Sequence, residues 1–466
     1  MVDLNLLRAE LSGLYGEEVI RDLNRVIKLY EIYEGKGQDW ELPLNMDYSP
    51  TKKKTNFIKK LIKEEARFLF GKSPVRSVLL ENKDLQESIN EYLTSVLNNS
   101  LFSEKLIKGA RDCFIGKRVA LKLSFDSKNK NIKVSFRPSL EFVFQPKDEN
   151  VDELQSIVFF YQLNDYSNKL QQRIWKQKYE IINERCILNE GIYDGNGELV
   201  EVIFKDFDTG LSFIPAYVII NDGLSGDLKG ESDVEELIDN QDAFNKLSSD
   251  DIDALRFNMF PMTVATDADE ESLCNIKISP GSLVDLQTNP TSQDKAASMT
   301  KLESSFNYSD KLEKTLDRLK GELHEVLNIP NISLDQLKGV MTSGKSMKAL
   351  YWQLITRCEE KFMAWKPALE WMVFAILEMS KVYNLMHLEL PIDLKANIEN
   401  VYPLLEDEQE EKSMDLQAVN SQGMSRLSFI KKWNNNISDE DATNELKQIA
   451  IEKNLLEESF AVEEEE

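Results

Sequence analysis

The chain has 466 residues, 42% of them apolar and 29% charged, and a formal net charge of −25. This length and composition are typical of a soluble folded protein with a sizeable core and more than one domain. The acidic balance argues against a protein that wraps tightly around nucleic acid. No apolar run approaches the roughly 18 residues that a membrane-spanning helix needs, so we expect no membrane partner.

Cysteine and histidine are too few and too scattered for a metal or redox site. Cys113, Cys186, Cys274 and Cys358 have no paired spacing, and the two histidines lie far apart. This pattern predicts no disulfide framework, no zinc site and no cofactor. The first residues are charged and amphipathic, which is not the pattern of a secretory signal.

Charge is distributed unevenly along the chain. Residues 401–466 carry 17 acidic and 6 basic side chains, whereas residues 50–76 carry 9 basic and 2 acidic ones. The basic segment 50–76 has two interpretations: it is a solvated helix face, or it is a surface for DNA or an acidic partner.

Residues 1 to about 225 are predicted to form an α+β domain. Helical spacing of apolar residues predicts helices over 3–34, 54–70, 83–97 and 103–115. Arg118–Ser124 and Ile132–Phe136 alternate around a polar turn, which is the signature of a β-hairpin. Further runs predict more strands of an antiparallel sheet. These runs are Glu141–Phe144, Ser156–Leu163, Arg173–Glu180, Arg185–Leu188, Leu199–Phe204 and Ala216–Ile220.

Two long helices follow, with a compact insert between them. The first begins at Ser232 or Asp233, ends near Met259 and spans roughly 40 Å. Its apolar residues predict a buried stripe, and its other face is rich in acids. The second helix runs over Asn307–Leu327, and the two lie antiparallel if the insert reverses the chain. The stripe comprises Val234, Leu237, Ile238, Phe244, Leu247, Ile252, Leu255 and Met259, and the insert strands are Met262–Thr266, Asn275–Ile278 and Ser282–Leu286.

A third long helix is predicted over 346–383. It is too apolar for a free surface helix, so we expect it to be buried, and Pro367 should kink it. His387–Pro391 is predicted to be a short return strand. An acidic linker and helices near 413–420, 424–434 and 439–458 end the chain.

The segment between the second and third long helices matches a phosphate-binding pattern. Gly339–Ser346 spells G-x-x-x-x-G-K-S. In a P-loop, Lys345 would reach the outer phosphates and Ser346 would bind magnesium. However, the residues before it follow a helix and contain Pro330, where a P-loop needs an apolar strand. The other interpretation is a glycine-containing loop between two helices.

The order of these elements resembles the portal proteins of tailed bacteriophages, the ring-shaped head–tail connectors. The resemblance covers nearly the whole chain and rests on three stretches. They are Asn56–Lys60 through Leu69–Pro74, Gly230–Ile238 through Gln241–Lys246, and Ser343-Gly344 leading into Ala349-Leu350.

The resemblance implies a mostly helical α+β subunit of portal type. Its parts would be an α+β wing, a two-helix stem, a small β-containing clip, a tunnel loop, a long kinked wing helix and a helical crown. The boundaries would be 1–228 for the wing, 229–259 and 307–328 for the stem helices, 260–306 for the clip, 329–345 for the tunnel loop, 346–399 for the long helix with its return strand, and 400–466 for the crown and acidic tail.

The resemblance further implies a twelve-subunit ring in the virion, at the capsid portal vertex, made in the bacterial host cytoplasm. Double-stranded DNA would pass through its channel without sequence-specific contacts. The expected partners are the terminase large subunit, a head–tail adaptor, and the major capsid and scaffold proteins. The portal would not be an enzyme.

Two groups of residues are candidate site residues on this interpretation. An acid-rich stem face would repel phosphate so that DNA slides, and tunnel-loop lysines would touch phosphates transiently. The stem residues are Glu235, Asp239, Asp242, Lys246, Asp250 and Asp253. The tunnel-loop residues are Lys338, Gly339, Val340, Met341, Thr342, Ser343, Gly344 and Lys345. The alternatives are a P-loop ATPase and an acidic helical scaffold or adaptor that does not touch DNA.

Overall fold

A computed structural model of the chain divides into two compact units. One comprises Met1–Asn331 with Gln353–Tyr402, and the other Ile332–Trp352 with Pro403–Glu466. The structure describes residues 16–36, 48–151, 153–163, 173–194, 197–259, 262–269, 287–290, 296–302, 308–332, 344–386, 394–404, 408–434, 437 and 441–452.

The helices and strands define a mixed α+β fold, as the sequence predicts. The helices are α1 (Glu17–Tyr33), α2 (Phe57–Phe70), α3 (Lys83–Asn99), α4 (Phe102–Gly116), α5 (Ile238–Met259), α6 (Ser309–Val326), α7 (Gly344–Leu350), α8 (Trp352–Val382), α9 (Glu408–Asn420) and α10 (Arg426–Trp433), with a last one at 441–452. The strands are β1 (Val75–Leu79), β2 (Arg118–Asp126), β3 (Asn131–Pro138), β4 (Phe142–Pro146), β5 (Leu154–Leu163), β6 (Arg173–Ile182), β7 (Arg185–Tyr193), β8 (Leu199–Asp208), β9 (Ala216–Ile220), β10 (Met262–Thr266), β11 (Ser298–Leu302) and β12 (Lys395–Glu399).

Two antiparallel sheets form the β part of the first unit. One has the order β3-β2-β9 and the other β4-β5-β6-β7-β8. The predicted hairpin is β2–β3, with Asp126 opposite Asn131. Asp126 stabilises its turn, because its carboxylate accepts from the N–H groups of Lys128 and Asn129 and from the Lys133 ammonium. Helix α4 packs on β2, β3 and α2, so the core lies between these helices and the three-stranded sheet.

The sequence analysis missed two strand pairings. β1 pairs with β12, and β10 pairs with β11. The β12 strand begins after the predicted return strand 387–391, which lies outside the described residues. β11 occupies residues for which no strand was predicted, ahead of the helix predicted from Asn307. The predicted insert strands at 275–278 and 282–286 also lie outside the described residues.

Helix α8 buries one face, on which Leu369, Met372 and Ile376 are inaccessible to solvent, while Trp352, Met363 and Phe374 are exposed. The predicted single helix over 346–383 is two helices, because Tyr351 forms a turn between α7 and α8. Helix α8 continues through Pro367, whose side chain is exposed. A proline in this position leaves the carbonyl of Met363 without its helical donor, and Met363 is itself 72% exposed.

The second unit is described for α7 and the C-terminal helices. Helices α9 and α10 pack together. The Trp433 indole N–H donates to Asp415 over 2.9 Å, and the Lys432 ammonium lies 2.7 Å from the same carboxylate. These contacts join the predicted C-terminal helices into a pair.

Candidate functional site

The two long helices of the predicted stem, α5 and α6, pack against each other. Helix α5 leads into β10, and β11 leads into α6. Because β10 and β11 are antiparallel, the chain reverses between the helices. Helix α6 buries Leu319, Leu323 and His324. The sequence prediction of two helices flanking a β-containing insert is thus confirmed for the described residues.

The buried face of α5 is polar, which the sequence analysis did not predict. Gln241, Asn245, Ser249 and Asp253 are buried, at a regular spacing of four residues. In contrast, Leu255 and Met259 of the predicted apolar stripe are 44% and 73% exposed. The buried face of α5 is polar because the segment 51–57 runs beside it. The main-chain N–H groups of that segment need hydrogen-bond acceptors, which apolar side chains cannot supply.

Three of the predicted channel-lining residues form an exposed stripe. Asp239, Lys246 and Asp250 are all exposed. At 100° per residue they lie within about 40° of one another around the axis of α5. The arrangement presents two carboxylates and one ammonium group along one side of the helix.

The other three predicted channel residues are buried or half-buried. Asp253 is buried, and its two carboxylate oxygens accept hydrogen bonds from the N–H and hydroxyl of Thr51. Both carboxylate oxygens of Glu235 accept hydrogen bonds from Arg25, at 2.7 Å each. Asp242 is half-buried; this burial and repulsion from Asp239 raise its pKa. The six residues therefore do not form a single face.

The predicted tunnel loop lies mostly outside the described residues. Lys338, Gly339, Val340, Met341, Thr342 and Ser343 are in this range, whereas Gly344 and Lys345 begin α7. The described residues before the motif, 327–332, form a turn and irregular chain and contain no strand. A P-loop requires a strand that ends directly at the motif, and the residues in that position, 333–338, lie outside the described residues.

A buried ionic cluster joins the start of the stem to the long helix α8. We call Glu65, Asp233, Arg357 and Lys361 the buried node. Arg357 donates from Nε to Glu65 Oε1 at 2.8 Å and from Nη2 to Asp233 Oδ1 at 3.0 Å. Lys361 donates to both oxygens of Asp233, at 2.9 and 2.8 Å. Two cations thus neutralise two carboxylates taken from three separate parts of the chain.

The node's surroundings determine its protonation. Complete burial raises the pKa of Glu65, and repulsion from Asp233 adds to this, while Lys361 and Arg357 oppose it. Burial lowers the pKa of Lys361, but its attraction to Asp233 and Glu65 outweighs burial, and the pKa is raised. Oxygen Oε2 of Glu65 has no hydrogen-bond partner among the described residues. The node therefore holds its charges at a desolvation cost that its ion pairs and hydrogen bonds offset, with one oxygen of Glu65 left outside them.

The loop that carries Asp233 is fixed by a close backbone contact. Gly230 has a φ of +70°, and a Cβ there would lie 2.6 Å from the carbonyl oxygen of Lys117. Beyond it, the Ser232 hydroxyl donates to the carbonyl of Ile115 at 2.7 Å, and the N–H of Asp233 donates to that of Phe114 at 3.0 Å. The start of the stem is thereby anchored to the end of α4.

The described residues contain no arrangement for covalent or metal chemistry. No group of three or more His, Cys, Asp or Glu side chains there could hold a metal ion. Cys113, Cys186 and Cys358 are buried free thiols. Burial raises the pKa of each, that of Cys186 to about 11, which suppresses the nucleophilic thiolate. A cavity of about 540 Å³ beside Phe213 and Trp371 has a mixed apolar and polar lining without a nucleophile–base pair.

Within the described part of the chain, no helix is both long and apolar enough to span a bilayer. An α+β domain, a pair of packed helices around a β-hairpin and a long buried helix together form a subunit of portal type. The chain belongs to the phage portal protein family of the SPP1 Gp6-like type, whose model matches residues 15–457. This match confirms the resemblance inferred from sequence. No curated protein matches the chain.

Family membership has direct consequences for function. Phage portal proteins are structural rather than enzymatic, and they assemble as rings at a capsid vertex of the virion. The surfaces of this chain that matter for a portal role therefore include those through which subunits assemble into the ring.

Proposed function

We propose that this protein forms a twelve-subunit ring whose central channel carries double-stranded DNA during packaging and ejection. The observation that supports this most is the family match over residues 15–457. The pair α5 and α6, with the β10–β11 hairpin at one end, would form the stem and the clip of each subunit. Terminase and, later, a head–tail adaptor would dock on the clip, residues 260–306.

The exposed stripe of α5 would line the channel. Asp239 and Asp250 repel phosphate, so a duplex that passes them slides without adhering. Lys246 between them limits the repulsion, because it places one positive charge within a helical turn or two of each acid. We exclude Asp253 and Glu235 from this role, since their carboxylates are held by Thr51 and Arg25.

Electron microscopy of the purified protein tests the ring directly. We expect closed rings with a central hole wide enough for a DNA duplex. A compact monomer that binds ATP and magnesium would favour the P-loop alternative, which uses Lys345 and Ser346. An elongated oligomer without a hole would favour the acidic scaffold or adaptor.

Lys338 and Lys345 would touch DNA phosphates from the tunnel loop, residues 329–345. The double variant Lys338→Ala/Lys345→Ala should assemble rings but package less DNA, and the defect should vary with salt because phosphate contacts are ionic. Lys348→Ala is the matched control, since Lys348 is an exposed lysine of α7. Normal packaging by the double variant would contradict the DNA role. Loss of an ATPase activity with Lys345→Ala would instead indicate a true P-loop.

The remaining boundaries follow the portal arrangement. Residues 1–228 and 346–399 would form the wing, with α8 as its long helix, and 400–466 would form the crown. Contacts with the major capsid and scaffold proteins would come from the outer surface of the ring. The ring would be assembled in the bacterial host cytoplasm and incorporated into the virion.

A further inference from the structure

Residues Thr51–Phe57, which we call the strap, run beside α5 as an extended chain that ends at Asn56, and Phe57 is already the first residue of α2. Every second main-chain N–H of the strap donates to a side chain of α5. Thr51 donates to Asp253 at 2.8 Å, Lys53 to Ser249 at 2.9 Å, Thr55 to Asn245 at 2.8 Å and Phe57 to Gln241 at 2.8 Å. The strap runs antiparallel to the helix, and its four bonds form one continuous seam.

The seam forms because the two-residue repeat of the extended strap is nearly as long as the four-residue repeat of helix α5. Two residues of extended chain advance about 6.6 Å, and four residues of α-helix advance about 6.0 Å. Alternate strap residues therefore meet successive i, i+4 positions of α5. Such positions form an inclined row on a helix surface, so the strap can follow them only at a small angle to the helix axis.

Both ends of the seam are fixed by further contacts. At one end Tyr48 packs edge-to-face on Phe257, with ring centroids 4.9 Å apart, and Phe257 continues the four-residue spacing of the seam. At the other end Phe57 packs edge-to-face on Phe244 at 5.0 Å. Asn56 then caps α2 by accepting from the N–H of Lys59 at 2.8 Å. The strap is thus tied to the stem at one side and continues directly into the wing.

The seam binds the main chain of the strap rather than its side chains. Lys53 and Lys54 remain exposed. Lys54 lies near Asp242 and lowers the pKa of that carboxyl against the effects of burial. The basic run that the sequence analysis singled out is therefore held along the acidic helix, and its lysines supply counter-charge there.

We infer that the strap positions the stem helix relative to the wing, and that Gln241, Asn245, Ser249 and Asp253 are its positioning residues. The functional consequence rests on the proposed function, because it assumes that α5 borders the DNA channel. The strap holds α5 by polar bonds along its length, so it sets the direction in which Asp239 and Asp250 face.

Hydrogen exchange of the assembled protein, resolved to single amides, tests the seam without reference to DNA. The donor amides to follow are those of Lys53 and Thr55. The comparison amides are those of Lys54 and Asn56, which alternate with the donors and take no part in the seam, because successive residues of an extended chain face opposite ways. We expect slow exchange at the donors and fast exchange at the comparison amides. Uniform exchange along the strap would overturn the inference.

Two isosteric substitutions then distinguish the roles of neighbouring positions. Asn245 only accepts in the seam, and its Nδ2 has no partner among the described residues. Gln241 accepts from Phe57 and also donates from Nε2 to the carbonyl of Thr55 at 2.7 Å. Both Asn245→Asp and Gln241→Glu add one negative charge, but only Gln241→Glu removes a donor that the strap uses.

We expect Gln241→Glu to accelerate exchange of the strap amides about 5- to 10-fold more than Asn245→Asp, because both variants bury one added charge and only Gln241→Glu also loses a hydrogen bond to the strap. Ser248→Ala is the matched control for Ser249→Ala, because both serines are buried on α5 and only Ser249 accepts from the strap. Equal effects of the two acidic variants, or of the two serine variants, would contradict a seam of this register.

DNA packaging by rings of these variants tests the positioning role. Gln241→Glu and Ser249→Ala should form rings by electron microscopy, and these rings should package several-fold less DNA than rings of the paired variants Asn245→Asp and Ser248→Ala, respectively. Normal packaging by Gln241→Glu rings with a loosened strap would refute the positioning role. Failure of the unmodified rings to pass DNA would refute the proposed function instead. The hydrogen-exchange pattern of the strap amides would then still test whether the seam exists.

Discussion

Replacing Lys361 by methionine should destabilise the buried node more than any change at the surface of α8. The substitution keeps an unbranched side chain, one atom shorter, but removes the cation that binds both oxygens of Asp233. Arg357 then remains as the single cation between Asp233 and Glu65. The node changes from neutral to a net charge of −1, and both of its carboxylates are buried.

The size of the effect follows from burial. Glu65 and Asp233 are 0% and 3% exposed, so the surplus charge cannot be solvated. Removing one partner of a buried ion pair typically costs about 3–5 kcal/mol. We expect Lys361→Met to lower the opening free energy of this region by that amount. The double variant Glu65→Gln/Lys361→Met restores neutrality, so it should recover most of the loss.

Native-state hydrogen exchange is the appropriate assay, because a multidomain chain does not unfold in two states. The amides to follow are those of α8 near Lys361 and the amide of Asp233, which donates to Phe114. Lys366→Met is the control: Lys366 is an exposed lysine of the same helix, so its loss should change the opening free energy by no more than about 0.5 kcal/mol.

The defect of Lys361→Met should also depend on pH. Burial raises the pKa of Glu65 in the folded state, so the folded protein binds more protons than the unfolded chain above the ordinary glutamate value. The stability that protonation contributes is present below that value and is lost as pH rises through the folded pKa. The variant should therefore be less impaired near pH 5, which is about the ordinary glutamate pKa, than near pH 8, which is well above it.

Two results would contradict this account of the buried node. One is a cost of Lys361→Met below about 1 kcal/mol, well under the range for a broken buried pair. The other is a double variant in which the stability losses of the two single substitutions add.

Three further outcomes are expected. Gly230→Ala should cost about 2 kcal/mol or more of stability, since φ is +70° and the new Cβ would overlap the Lys117 carbonyl. Gly226→Ala, at φ +83° with open space around it, should cost only the backbone strain of about 1 kcal/mol. Thermal unfolding compares the two variants, and equal losses of stability would contradict the overlap at Gly230. Burial lowers the pKa of Lys122 to about 7, so between pH 7 and about 10 the unfolded chain binds more protons than the folded protein. The free energy of unfolding should therefore rise across that window by up to roughly 4 kcal/mol. If it does not change with pH, as expected for Lys122→Met, then Lys122 is not a neutral lysine in the folded protein. Gly321→Ala in α6, where a Cβ meets nothing within 4 Å, should stabilise the isolated subunit by about 0.5–1 kcal/mol; destabilisation in a denaturant titration would show that the space is not open.

Local signals predicted much of the secondary structure. The β2–β3 hairpin follows from alternating apolar residues around a polar turn, and α2 follows from the helical spacing of its apolar residues. These features depend on residues within a few positions of one another, such as the acceptance by Asn56 of the Lys59 N–H. The portal resemblance likewise came from the order of such elements, and the family match confirms it.

The seam, the node and the β1–β12 pairing could not be predicted in this way. Their partners lie far apart: Thr51 and Asp253 are separated by 202 residues, and Glu65 and Arg357 by 292. A sequence alone does not distinguish a helical stripe of polar residues that is buried against a partner from one that is exposed to solvent. The four-residue spacing of Gln241, Asn245, Ser249 and Asp253 is the signal that was present, but without the strap it indicates only a polar face.

The sequence by itself determined that this is an α+β chain of portal type, with two long helices around a small β insert and an acidic stem, because those properties follow from composition, periodicity and order. Tertiary structure alone decided which face of α5 is buried and which of its acidic side chains remain exposed to solvent. Burying a polar side chain is favourable only where a partner is already in place, and for α5 that partner is the main chain of the strap. Of the six predicted stem residues, Asp239, Lys246 and Asp250 therefore stay exposed, whereas Asp253 serves the seam.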